Sequence, residues 1–440
     1  MPRGTSTYLL LAVLGLALPA AGQTPLSLPD AIARARARNP DAGSSAAAER
    51  EAAQRVTQAR AGYWPRVDVT ESWQRGNQPV FVFSSLLAQR QFTAADFELG
   101  ALNHPDAIDN FRSAVTVEQP VFDAATRANV TLARVGHEMA SATRRVVDHD
   151  LAARVTDAYG RVLAISGARR SADAAVETAR ADRQLAGDRR DAGLVTDADV
   201  LQIDVHLSRS REQQIVAASE ERIARAQLNQ LMGAPLEQVF QLEDAPAVPA
   251  FEAADLARLE KEAIEQRPEV ALAALQERLA AAGQTAARAA WLPQLSAQGG
   301  WEANGGAWNG RASSWSVGAV ARVNVFNGYA DKARLAQARE RISRASFERA
   351  KAETAARLDV HAALARLDAA RASDAVGRDT VAQARASRRI VRDRYEAGLT
   401  DVTSLLRAAE AVAHAEAQQV AAQVAVLTAS AALHRALGRR

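Results

Sequence analysis

The chain has 440 residues, 48% of them hydrophobic but only 5% aromatic, and alanine, the best helix former, supplies much of the apolar share. A net charge of +3 spread along the chain excludes the clustered basic footprint of a nucleic-acid binder. The absence of cysteine excludes disulfides, a Cys-ligated zinc site, a thiol nucleophile and a lipid attached through an N-terminal cysteine.

The N-terminus reads as a secretory signal over residues 1–22. Arg3 supplies the positive start, Tyr8 to Leu18 an apolar run, and Ala20 and Gly22 the small residues before a cleavage site at Gln23. The run is too short to span a membrane, which takes about 20 apolar residues. Later segments are shorter still, so the expected product is exported without a membrane-spanning helix.

The rest is one unit written twice, expected at 23–237 and 262–440 with a linker or equatorial segment at 238–261. Pro40 to Pro65 and Pro268 to Pro293 are both 25 positions apart. Phe122 pairs with Phe326, and Gly193 to Gly233 matches Gly398 to Gly438 at 40 positions each. The interval from Pro65 to Phe122 is 57 positions against 33 from Pro293 to Phe326. The first half therefore carries a long extra loop, 75–111, rich in phenylalanine.

Each half predicts helix, two strands, very long helix, helix. The first helix covers 40–62 and stops at Pro65. Strands are expected at 66–74 and 112–121. In the first, Arg66, Asp68, Thr70, Ser72 and Gln74 alternate with Val67, Val69, Glu71 and Trp73. Residues 124–190 lack proline and carry a seam at Val147, Leu151, Val155, Ala158, Val162 and Ile165, near the coiled-coil period. A helix of that length is about 100 Å long. Gly193 breaks it, and a second helix covers 196–232. The second half repeats this with a helix at 268–290, strands at 292–302 and 313–325, and helices at 329–396 and 401–437. In each half the first and last helices together match the length of the long one, which predicts one continuous and one spliced helical column.

Strands of about ten residues with one apolar and one polar face suit either an outer-membrane barrel with a wet interior or a half-buried soluble sheet. Export and the very long helices favour the barrel. Trp73, Trp301 and Trp315 then suit the membrane interface. Four strands cannot close a barrel, and an open edge is not tolerated in lipid. The chain is therefore expected to oligomerise, each subunit contributing a sector; a homotrimer would bring 12 strands into contact with outer-membrane lipid and set them beside 12 helical columns.

Taken together, LSLPDAIARARARNP (26–40), ARAGYWPRV (59–67), AGLVTDADVLQ (192–202), EAIEQRPEV (262–270), ARAAWLPQL (287–295) and YEAGLTDVTSLLRA (395–408) resemble the TolC-type outer-membrane efflux family. The resemblance implies a mainly α fold with a membrane β-barrel sector, trimerising into a 12-strand barrel on a 12-column helical tunnel. The function it implies is the outer-membrane channel of a tripartite efflux or type I secretion system in a Gram-negative cell. The tunnel would meet a periplasmic adaptor (membrane fusion) protein and, through it, an inner-membrane pump of RND or ABC type. The alternative reading is a soluble periplasmic coiled-coil adaptor, which should carry one helical hairpin where this chain has two.

No catalytic motif, cofactor site or metal-ligand spacing is present, and an enzyme is not expected. The glycines at 299–310 read as a turn between barrel strands. The candidate sites are the two helix reversals, Gly193-Leu194 and Gly398-Leu399. There the glycine permits a left-handed turn, and the leucine is either a plug for the hairpin or, by the resemblance, a knob for the adaptor. The resemblance also places a periplasmic gate at Asp199, Gln202, Asp401, Ser404 and Arg407. The family's acids after the second tip glycine are replaced here by Ser404 and Arg407. Arg407 lines the lumen, pairs with Asp199 or Asp401, or faces solvent outside.

Overall fold

The structure, a computed structural model, describes residues 25–243 and 256–439. The expected signal at 1–22 and the centre of the expected linker, 244–255, lie outside the described residues. The first half runs β1 (Pro25–Leu26), α1 (Leu28–Arg38), α2 (Pro40–Ala61), β2 (Arg66–Gly76), α3 (Pro79–Ala88), α4 (Leu99–Asn103), β3 (Ile108–Phe122), α5 (Ala124–Asp191) and α6 (Asp197–Met232). The second runs β4 (Gln241–Leu242), α7 (Leu256–Gln266), α8 (Pro268–Ala289), β5 (Gln294–Gly305), β6 (Ala312–Arg322), α9 (Ala330–Glu396) and α10 (Val402–Ala436). The main helices α1, α2, α5 and α6 have 11, 22, 68 and 36 residues, and their counterparts 11, 22, 67 and 35.

Helices α1 and α7 were not among the expected elements. Ser27 caps α1 by accepting from Asp30 N–H. Both short helices end two residues before a proline, at Arg38 ahead of Asn39-Pro40 and at Gln266 ahead of Arg267-Pro268, because a proline ring disfavours helical backbone in the residue before it. These two links lie against the C-terminal ends of α6 and α10. Asn39 Nδ2 donates to Leu231 O at 2.9 Å, in the last turn of α6. A Cβ on Gly233 would lie 2.7 Å from Arg38 O, and one on Gly438 2.7 Å from Gln266 C. Both glycines have positive φ, +64° and +73°. Each closes a helix tightly enough for it to abut the link.

The chain packs as two compact units, and each takes segments from both sequence halves. One holds 25–39, 151–243 and 365–432; the other holds 40–150, 256–364 and 433–439. In the first, β1 pairs in parallel with β4. Tyr159, fully buried on α5, donates its hydroxyl to Leu26 O at 2.9 Å and Glu243 O at 2.8 Å. Leu151, Val155, Tyr159 and Val162 are all buried. The seam therefore follows the expected line, with Tyr159 where the sequence pointed to Ala158.

In the second unit β2, β3, β5 and β6 form one antiparallel sheet in that order. β6 stops at Arg322, short of the expected 325. Its partner β5 begins at Gln294, paired with Arg322, because Pro293 offers no N–H to extend the ladder. Val323 and Val325 are accordingly exposed. β3 begins at Ile108 rather than 112 and bulges between Pro120 and Phe122. Gly299, Gly300 and Gly305 belong to β5, so the turn is confined to 306–311, where Gly310 takes φ +77°. The 75–111 loop shrinks to 77–107 and contains α3, α4 and a 3-10 turn at Ala94–Phe97. Phe83, Phe92 and Phe97 pack edge to face within it, with centroids 4.9–6.4 Å apart.

Candidate functional site

Both tips are built the same way. Leu194 N–H donates to Arg189 O at 2.8 Å and Gly193 N–H to Arg190 O at 2.8 Å. Leu399 N–H donates to Arg394 O at 2.8 Å and Gly398 N–H to Tyr395 O at 3.0 Å. With Gly193 at φ +72° and Gly398 at φ +74°, each is a Schellman closure, which needs a left-handed residue at the glycine position. The next helix is then capped. Thr196 and Asp199 form a reciprocal capping box on α6, with Thr196 N–H to Asp199 Oδ2 at 2.9 Å. Asp401 accepts from Ser404 N–H at 2.9 Å on α10. Hydrogen bonds from the Ser404 side chain and backbone hold the Asp401 carboxyl below its ordinary range.

Leu194 and Leu399 are 64% and 68% exposed. They do not plug their hairpins; the plug is a separate core of Ala186, Val200, Ile203, Tyr395, Val402 and Leu405. Arg189, which the sequence did not single out, ties the two tips together. Its Nη1 donates to Glu396 O at 2.6 Å, and its guanidinium lies 5.1 Å from the Tyr395 ring centroid. Tyr395 is 2% exposed, and burial pushes its hydroxyl up from the usual range. Only the adjacency of each residue to a tip glycine could have flagged the pair.

Of the five gate candidates, the two acids are each held at their own helix start. Asp199 is engaged with Thr196, and Asp401 with Ser404. Neither makes the ion pair with Arg407 that the sequence left open, because each carboxylate is drawn to the free N–H groups of its own helix start. Gln202 and Arg407 are exposed.

On the sheet, the register aligns the alternation of all four strands. One face carries Arg66, Asp68, Thr70, Ser72, Arg112, Thr116, Glu118, Gln298, Glu302, Asn304, Ser314 and Ser316, with Arg112 and Glu302 paired at 2.9 Å. The other face carries Val67 opposite Val117, and a row of Val69, Val115, Trp301 and Trp315 across all four strands. Trp73 does not share that row. It lies four residues further along β2, about 13 Å away, opposite Phe111, and donates its indole N–H to Asp109 Oδ1 at 3.0 Å. Between the two levels Arg311 reaches Glu71 at 3.1 Å and bonds Ser113, with its guanidinium 4.1 Å from the Trp308 ring centroid. β2 and β6 are the sheet edges, so their outer N–H and C=O groups have no strand partner among the described residues.

Among the described residues no helix is long and apolar enough to cross a membrane, and no group of three or more His, Cys, Asp or Glu is arranged to hold a metal.

A profile of the outer membrane efflux protein family matches residues 31–234 and 259–439. Protein CyaE of Bordetella pertussis is 29% identical over 309 residues, covering 69% of this chain and 65% of CyaE. The aligned region thus spans about two thirds of that relative. Among solved structures, the outer membrane protein VceC of Vibrio cholerae superposes with a TM-score of 0.76 at 17% identity, covering 94% of this chain and 96% of VceC. The CmeC outer membrane channel of Campylobacter jejuni superposes at 0.77 and 15% identity, covering 93% and 85%. At these identities the two structures establish the fold.

Proposed function

The chain belongs to the outer membrane efflux protein family, and we propose that it is the passive outer-membrane duct of a tripartite efflux or type I secretion system. Three copies complete a barrel of 12 strands, and their helices form the tunnel through the periplasm. The observation that carries this reading is the open four-stranded sheet, polar on one face and apolar on the other at the level of Val69, Val115, Trp301 and Trp315, with neither edge paired among the described residues. In lipid such edges must be paired, and identical copies supply them most simply, β2 of one against β6 of the next. The apolar face then meets lipid and the polar face lines water.

The two exposed tip leucines are the docking knobs for a periplasmic adaptor, which links the duct to an inner-membrane pump. The polar helix starts at Asp199, Asp401, Ser404 and Arg407 stand at the entrance. Catalysis has no place in this reading, since transport through a water-filled duct needs neither a nucleophile nor a cofactor. Mass measurement on the detergent-solubilised protein tests it. A particle of three chains is expected, and a stable monomer free of detergent would overturn it.

A further inference from the structure

The helices of the first unit leave a cavity of about 1160 Å³ between α5, α6, α9, α10 and residues 239–242. Its floor is apolar, made by Leu163 of α5 and by Val420, Val424 and Leu427 of α10. These helices lie close because Gly160 and Gly167 face α10. A Cβ at Gly167 would come 2.7 Å from Val420 Cγ1, and one at Gly160 3.1 Å from Val424 Cγ1.

The banks are cationic. Arg169 and Arg170 of α5, Arg222 and Arg225 of α6, and Arg371 and Arg378 of α9 line the cavity, against two acids, Glu221 and Asp374. Both acids are already engaged. Glu221 accepts from Ser166 at 2.9 Å, Arg169 at 2.7 Å and Arg225 at 2.7 Å. Asp374 accepts from Gln419 at 2.9 Å and lies 3.3 Å from Arg378. Arg170, Arg222 and Arg378 are exposed. Arg371 and Arg378 are two helical turns apart, about 10 Å, and Val420 and Leu427 repeat that step along the floor.

We propose that this groove docks an acidic amphipathic α-helix of a protein partner, with its apolar stripe on the floor and glutamates or aspartates on both flanks against the arginine banks. A small anion would meet the arginines but leave Leu163, Val420 and Val424 uncovered. A helix with apolar residues at i, i+4 and i+7 covers two turns of floor and presents its flanks to both banks at once. The inference goes beyond the duct reading, from which it takes only that the groove lies in the periplasm.

The test titrates the purified full-length protein with a labelled synthetic helix of about 18 residues, long enough to be helical in water. The helix carries leucines at i, i+4 and i+7 with glutamates on both flanks. It is expected to bind about tenfold tighter than the same helix with glutamines in their place, and to weaken with added salt. Arg222→Glu combined with Arg378→Glu, with assembly checked by size, should weaken the glutamate helix by about tenfold and favour a lysine-flanked one. Equal binding of the glutamate and glutamine helices, no binding, wild-type affinity in the double variant, or equal competition by inorganic phosphate would each overturn the proposal. None of these outcomes bears on subunit number or on transport by tip variants, so failure here is separable from failure of the duct reading.

Discussion

Glu221 is 5% exposed at the α5–α6 contact. Burial alone would raise its pKa, but hydrogen bonds from Arg169, Arg225 and Ser166 outweigh that and bring it down to about 2. A carboxylate depressed on folding contributes stability above its unfolded pKa and loses it as pH falls through the folded value. Glu221→Gln should therefore cost on the order of 2–3 kcal/mol at neutral pH, and the cost should fade between about pH 5 and pH 2. Thermal unfolding of both proteins at pH 7 and pH 3 checks this; a gap of equal size at both would show that shape, not charge, is lost. Arg407 is exposed on the second turn of α10, near enough to Asp401 for its charge to help lower that carboxyl, though the two are not paired. Arg407→Ala should raise leak through the closed duct or reduce its anion preference in planar bilayers. Unchanged conductance and selectivity would remove Arg407 from the entrance.

At the scale of elements, each tip gives the plug and the exposed leucine to different residues, where the sequence left the leucine as either plug or knob. The Schellman closure and the core around Tyr395 hold the hairpins, which leaves Leu194 and Leu399 uncovered. Leu194→Asp with Leu399→Asp should thus leave the assembly intact and cut transport at least severalfold, because a charge set against an apolar partner surface is desolvated without compensation. Export assays alongside native sizing check both halves of that expectation; normal export would mean the tips do not dock. The strands make the same separation of roles by parity. On β6, Val317 lies on the apolar face and Ser316 on the polar one. Val317→Arg should impair outer-membrane insertion, costing about 2–4 kcal/mol if it sits at mid-bilayer, while Ser316→Arg is tolerated and shifts ion selectivity. Equal yields of the two variants in the membrane fraction would reverse the sidedness of the sheet.

For the whole molecule, periodicity in the sequence determined the order of the long helices and sheet strands, their duplication and the two faces of the sheet. These follow from local rules, namely a 3.6-residue or two-residue apolar period and glycine or proline at the breaks. The tip glycines were legible because a left-handed residue after a helix is nearly always glycine. Contacts between distant segments were not legible. No local pattern told that Tyr159 would anchor both β1 and the end of β4, that Arg189 would reach Glu396 and Tyr395, or that the arginines of three helices would meet over an α10 floor. A long arginine or a buried hydroxyl can satisfy many partners, and the choice among them falls to whichever helices packing brings together. The three tryptophans show the divide most simply. Sequence parity put all three on the apolar face, but only the strand register set Trp301 and Trp315 side by side and left Trp73 about 13 Å along the sheet beside Asp109.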